Sequence, residues 1–311
     1  MHPGPRTRRP LDPVAFRPPR ALGVIVGAGF VAWALVFMSF SVKVAAGAPA
    51  EFKTFLAWVL AAALLLLALS FANWTFGLLR LSYVVGRDSL VIQWGFRRVA
   101  IPLETILRLV PGRTLDHPHI HGLNWWGCHI GHADVKRLGY TLFYSTHSTP
   151  DELLYIHTTQ ESYALTVLDQ AAFAEEIQAR AALSRVEPHV QRSSAVGIAA
   201  FPFWRDRVAI TATVISAALC MVLCGYIYAR YPGLPDVIEL SFPALGGVVR
   251  VGDKSELLRI AYLGVGVFAT NTLVGIVVHA RERAAGLWLL ASGGMLQAVL
   301  LAAALVAFER S

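Results

Sequence analysis

Five long runs of the chain contain no charged residue: residues 21 to 42, 54 to 79, 208 to 229, 260 to 278 and 284 to 308. A helix rises 1.5 Å per residue, so roughly 20 apolar residues cover the ~30 Å of a bilayer's hydrocarbon, and helices buried in soluble cores are rarely that long. Each run therefore predicts a membrane-spanning helix. Between the second and third lie about 130 residues of another texture, where charges and turn residues punctuate short alternating stretches. Alternation places Leu81, Tyr83 and Val85, then Leu90, Ile92 and Trp94, then Val99, Ile101 and Leu103 each on one strand face. Gly86-Arg87-Asp88-Ser89 and Gly95-Phe96 separate these strands as tight turns. Ile106 to Val110 reads as a fourth strand. A long irregular stretch follows, and Tyr140 to Ser145, Leu153 to Thr158 and Ser162 to Thr166 complete seven.

The period then changes. From Leu168 to Leu183, Phe173, Ile177 and Ala181 fall on one helical stripe, with Asp169, Glu176 and Arg180 around it. Thr166-x-x-Asp169 has the spacing of a capping box, and Glu176 to Arg180 is an i, i+4 pair in the favourable order. A bent antiparallel sheet with one open end needs an apolar stripe to cover it, and a single amphipathic helix supplies that.

Several local patterns in this insert occur together. They are Tyr83-x-x-Gly86-x-x-x-Leu90-x-Ile92-x-Trp94-Gly95, Ile101-Pro102-Leu103-x-x-Ile106, the tryptophan-bearing stretch from Gly122 to Gly131, Leu138-Gly139 before a strand, and Thr159-x-x-x-Tyr163-x-Leu165 leading to Asp169-x-x-x-Phe173. In this order they resemble bacterial pleckstrin-homology-like (PH) domains, over roughly residues 78 to 183. The resemblance implies a small β-barrel with a capping helix, commonly attached to membrane helices. It transfers no catalytic residues, because the family has no agreed biochemical role. A second stretch, Tyr231-Pro232-Gly233-Leu234-Pro235-Asp236 through Arg250-x-Gly252-x-Lys254, resembles an outward loop of multi-span bacterial membrane proteins, in which a histidine often stands near the place of Ser241. Val237 to Phe242 and Gly247 to Val251 read as a short hairpin within it.

Charge bears on topology more than on ligands. The formal net charge is +7, yet residues 80 to 200 carry eleven basic and eleven acidic side chains, so the insert lacks the basic footprint that nucleic acid requires. Arginines instead flank the spans, in the tail at Arg6, Arg8, Arg9, Arg17 and Arg20, and at Arg80, Arg87, Arg205, Arg207, Arg281 and Arg283. Under the positive-inside rule these ends share the cytoplasmic side, and five spans satisfy that parity when the tail is cytoplasmic too. The expected organisation is a basic cytoplasmic tail at 1–20, spans at 21–42 and 54–78, a cytoplasmic PH-like domain at 79–190, a span at 208–229, an external loop at 230–258, spans at 259–280 and 284–308, and an external C-terminus. A cleaved signal peptide ending near Ala46-Gly47-Ala48 is the alternative for the first span, whose apolar run is longer than a usual signal core.

Candidate chemistry is sparse. His117, His119 and His121 recur at period two in one loop, and Cys128 or His132 could complete a tetrahedral metal set. No zinc template has that spacing, and a solvated polar connection is the preferred reading, so no metal or other cofactor is expected. Trp125 and Trp126 could anchor the domain in the headgroup layer; the simpler reading has one plugging the barrel and the other lying against it. Arg97, Arg98 and Arg87 could meet anionic lipid at ~1 kcal/mol each. The cysteines Cys220 and Cys224, at i, i+4 within a span, read as packing groups. Asn73, Asn271, His279 and Gln297, the polar residues of the spans, read as interhelical hydrogen-bonding groups, with Gly264-Val265-Gly266 and Gly293-Gly294 allowing close approach. No GxSxG, HExxH, GxxxxGK[ST] or paired-carboxylate pattern occurs.

These readings converge on a multi-span α-helical membrane protein with five transmembrane helices and an inserted PH-like β-barrel plus capping helix, in the plasma membrane. A non-catalytic scaffold whose PH-like domain contacts a protein partner or the bilayer surface is the leading function. A small-molecule or ion transporter is the alternative, and a metal-dependent membrane enzyme a remote one. The partners implied are the lipid bilayer and a protein partner, with self-association left open and no nucleic acid.

Overall fold

A computed structural model describes residues 12–115, 118–182, 192–195, 200–242 and 248–309. They fall into two compact units, one of Met1–Ala34 and Leu66–Ala200, the other of Leu35–Leu65 and Phe201–Ser311. The first two long helices, α1 (Ala21–Gly47) and α2 (Phe52–Leu79), give one half of each to each unit. Together with α4 (Arg207–Arg230), α5 (Ser255–His279) and α6 (Arg283–Glu309), they make five helices long and apolar enough to cross a membrane.

In the first unit, β1 (Val14–Phe16), β2 (Ser82–Val85), β3 (Ser89–Trp94), β4 (Arg97–Pro102) and β11 (Arg192–Ala195) form a five-stranded antiparallel sheet in the order β1-β2-β3-β4-β11. A six-stranded sheet runs β5-β9-β10-β8-β7-β6, from β5 (Ile106–Pro111), β6 (His121–Trp125), β7 (Cys128–Val135), β8 (Gly139–Ser145), β9 (Leu153–Thr158) and β10 (Ser162–Thr166). Its β8–β10 pair is parallel, with β9 making the return. The inner faces share one core: Tyr83, Leu90, Ile92, Val99 and Ile101 from one sheet meet Cys128, Ile130, Leu154, Ile156, Tyr163 and Leu165 from the other. Among the described residues no ladder joins the two sheets, so the expected closed barrel is corrected to a PH-like sandwich.

The apolar stripe of α3 (Gln170–Ala181) closes the core through Phe173 and Ile177. Its start corrects the capping-box expectation. Asp169 is itself the N-cap, accepting from the Ala172 amide at 2.9 Å, while the Thr166 hydroxyl accepts from the Thr146 and His147 amides in the sheet. Arg180, placed by the sequence among the residues flanking the stripe, is buried; it pairs with Glu176 and donates to the Asp12 carbonyl at 2.6 Å. That bond ties in the N-terminal segment, whose Phe16 ring meets Phe173 edge-on at 5.0 Å. Residues 14 to 16 therefore belong to the sandwich and not to a free basic tail.

The larger correction is the stretch between Pro111 and Gly139, which contains the β6–β7 hairpin. This stretch reads as irregular in the sequence, and Gly122 and Gly131 stand opposite one another in the hairpin. They are there because the strands approach closely: a Cβ on Gly131 would stand 2.2 Å from the His121 carbonyl oxygen.

The second unit packs α4, α5 and α6 around Leu223, Ile227, Leu257, Ala261 and Ala304, with Phe55 of α2 against Tyr228. Buried Gln297 donates to the Gly264 carbonyl at 2.6 Å, an interhelical bond made possible by the missing side chain at Gly264. His279 is engaged by Asp206, whereas Asn73 is exposed and a Cβ added at Gly266 would meet no atom within 4 Å. The loop before α5 is a hairpin of β12 (Val237–Phe242) and β13 (Val248–Asp253), with Ser241 opposite Val249; Gly247 lies outside the described residues. Asp236 and Lys254 close its base with an ion pair at 2.7 Å.

Candidate membrane-proximal interface

The two tight turns of the sandwich nearest α2 build this face. The first, Gly95-Phe96, joins β3 to β4: Gly95 sits 3.2 Å from the Cα of Gly77 by its would-be Cβ, and the Phe96 ring lies 5.0 Å from that of Phe76. The second, Trp126-Gly127, joins β6 to β7. Gly127 has φ +81, and its backbone meets Gly23 of α1 so closely that a Cβ on Gly23 would stand 2.1 Å from the Gly127 oxygen. Trp125 stacks obliquely on α2, with ring centroids 5.8 Å from Phe71 and 6.2 Å from Trp74, and its indole N–H donates to the Gly23 carbonyl at 3.3 Å. Phe30 stacks on Phe71 at 4.7 Å, extending the aromatic patch along α1. Trp125 is also partly buried against the sandwich core, so it meets the core as well as the helices. Trp125 packs on membrane helices and Trp126 is 76% exposed.

Helix geometry sets the depth of this patch. Phe71 and Trp74 precede Leu79 by eight and five residues, or about 12 and 8 Å along the axis. With 28 residues, α2 is about 42 Å long, some 12 Å more than the hydrocarbon requires. The patch accordingly lies within about 12 Å of the Leu79 end of α2, the end that carries the sandwich. Arg20 donates to the Leu79 carbonyl, satisfying a C-terminal acceptor of α2, and the Arg80 guanidinium lies 5.5 Å from the Phe76 ring centre.

Of the sequence candidates, Arg97 and Arg98 leave the Gly95-Phe96 turn and are exposed beside this face, as is Trp126 beside the second turn. Arg97 lies close enough to Tyr144 to oppose the upward pKa shift that burial gives its hydroxyl. Arg87 is not with them. It occupies the turn at the opposite end of β3, 3.9 Å from Asp88, an exposed pair of little energetic weight.

The metal candidates are also divided. His119, His121 and His132 share the exposed face of the hairpin, with ring centroids 5.0 Å and 5.8 Å apart in that order, while Cys128 points into the core and burial pushes its thiol up to about 12. A thiol held protonated in the core cannot join surface imidazoles around one ion. His117 lies outside the described residues. Among the described residues no group of three or more His, Cys, Asp or Glu is arranged to hold a metal ion. Metal analysis of the purified protein is expected to give no stoichiometric zinc, and one equivalent lost on changing His119 and His121 to alanine would contradict this.

The residues missed in the sequence were Gly23, Phe71 and Trp74, because each lies in an apolar run where nothing local distinguishes lipid-facing from domain-facing positions. A two-sheet sandwich, covered by one C-terminal helix and carried on the ends of membrane helices, defines a PH-type domain in a multi-span membrane protein. Residues 81–181 match the family model described as Bacterial PH domain. No curated protein and no solved structure matches the chain.

Proposed function

We propose that this protein is a non-catalytic membrane scaffold whose PH domain works lying against the cytoplasmic surface of the bilayer. One observation carries the reading: the turn bearing exposed Trp126 is fastened to the ends of the membrane-length helices α1 and α2, a level we take to be the headgroup boundary. An indole held there reaches a layer that suits both its ring and its N–H. Arg97 and Arg98, leaving the neighbouring turn, add attraction to anionic lipid. The outward sheets then remain available to a protein partner. A transporter would require ionisable groups at mid-membrane; among the described residues none of the five helices buries an Asp, Glu, Lys or Arg side chain.

The test uses the three native cysteines' burial, which leaves a new surface cysteine as the reactive one. Trp126→Cys carrying an environment-sensitive fluorophore, in the full protein in vesicles, is expected to report an apolar setting and to be quenched by lipid-borne quenchers. The same label at Asp88→Cys, at the far turn, is expected to report water. Equal, water-like signals at both positions would rule out surface docking.

Sidedness follows from the arginine bias and span parity. Ser148→Cys is expected to resist an impermeant thiol reagent in intact cells, while Ser255→Cys reacts. Modification of Ser148→Cys would invert the assignment.

A further inference from the structure

The second unit carries an arginine-lined cleft that the scaffold reading does not use. Its volume is about 680 Å³, and Pro202, Arg205, Asp206, Arg207, Val208, His279, Ala280, Arg281 and Arg283 line it. Four arginines and one carboxylate thus share its lining. That carboxylate is fully engaged: Asp206 accepts from Arg283 Nε at 2.6 Å, from His279 Nε2 at 3.1 Å and from the Val208 amide at 3.0 Å as the N-cap of α4. Arg283, through its hydrogen bond, is the foremost cause holding Asp206 well below the usual carboxylate range. Asp206 and Arg283 therefore neutralise one another, leaving Arg205, Arg207 and Arg281 exposed around the opening without an ion pair among the described residues and in excess over the one neighbouring acid, Glu282.

The helix ends around the cleft also favour an anion. The cleft receives the N-terminal ends of both α4 and α6, positive ends of helix dipoles, against the single C-terminal end of α5. His279, 97% buried, lines the same cleft and holds the Asp206 carboxylate. Depth then decides the source. The charge-free runs begin at residues 208 and 284, so the arginines stand in the headgroup layer, and Trp204 and Trp288, 54% and 71% exposed, flank that level. Val208, exposed and lining the cleft, offers an apolar wall on its membrane side.

We propose that this cleft binds the phosphate of an anionic phospholipid headgroup, held by Arg205, Arg207 and Arg281, with the acyl chains passing along Val208. The shared chemistry is a phosphate oxyanion bound by guanidinium groups, for which the planar fork of arginine is well suited. Basic pockets between membrane helices at this level are where headgroups can be recognised individually. Free inorganic phosphate has the same oxyanion but no use for the apolar wall.

The full protein in a neutral detergent, titrated with dihexanoylphosphatidate and followed by native mass spectrometry and thermal shift, tests this. Saturable binding of one lipid is expected, weakened at least about tenfold by Arg205→Gln with Arg281→Gln, since each arginine near an anionic lipid contributes a several-fold factor. Neither side chain has a partner among the described residues, so these variants should fold. Arg205→Lys with Arg281→Lys keeps the charge and is expected to retain most of the binding. Arg259→Gln, at the other end of α5, should leave it unchanged. Wild-type affinity in the double glutamine variant, or equal loss in the Arg259 control, would overturn the site. Protection by inorganic phosphate equal to that by the lipid would overturn the lipid as its source.

Discussion

Replacing Phe173 with alanine is expected to unfold the PH domain or leave it barely stable. Its ring is fully buried, meets Phe16 edge-on, and lies where α3 closes the space between the two sheets. Truncating a buried phenylalanine costs about 3 to 5 kcal/mol, against the roughly 5 to 15 kcal/mol that holds a domain together. Glu175→Ala, two residues along the helix and exposed, should change stability by no more than about 0.5 kcal/mol. The measurement belongs in the full chain, because Phe16, Val24 and Leu78 pack into the same core and an excised domain would lose them. Cys128 offers a local readout, being buried in that core, while Cys220 and Cys224 lie in the other unit. Its thiol should become reactive at much lower denaturant in Phe173→Ala than in wild type. Wild-type protection of Cys128 in Phe173→Ala would mean that α3 is not a lid on this core.

The second large effect is expected at Gly23, where the domain is fastened to the membrane. A Cβ there would stand 2.1 Å from the Gly127 oxygen and 2.5 Å from Leu78 Cδ2. The first of these is backbone and cannot rotate away, so Gly23→Val must push the β6–β7 turn off α1, break the Trp125 hydrogen bond and strain the junction. Overpacking of this kind costs about 1 to 3 kcal/mol and sometimes more. Gly29→Val is the matched control: same helix, same substitution, and no atom within 4 Å of the added Cβ. Thermal unfolding in one detergent should separate the two, with Gly23→Val clearly lower and Gly29→Val near wild type. A fluorophore at Trp126→Cys should also shift towards a watery signal in the Gly23→Val background. Equal melting of the two valine variants would show that the junction is not tightly packed.

What the sequence by itself determined is what depends on neighbouring residues: apolar length, alternation and helical stripe. Those local periodicities predict five long helices, most strands of the insert and the inward direction of Tyr83, Ile92, Phe173 and Ile177, because burial of a face is written at fixed spacing along one element. The β6–β7 hairpin escaped because Gly122 and Gly131 answer to the strand opposite them and not to their own chain neighbours. The same holds for Arg180, buried only because Asp12 returns to meet it across the fold. Tertiary structure alone decided which tryptophan packs and which is exposed, that Cys128 turns away from His119, His121 and His132, and that arginines from two separate interhelical segments line one cleft. Each of these is a relation between residues far apart in sequence, fixed by the pairing of strands and the packing of helices, and no window along the chain contains it.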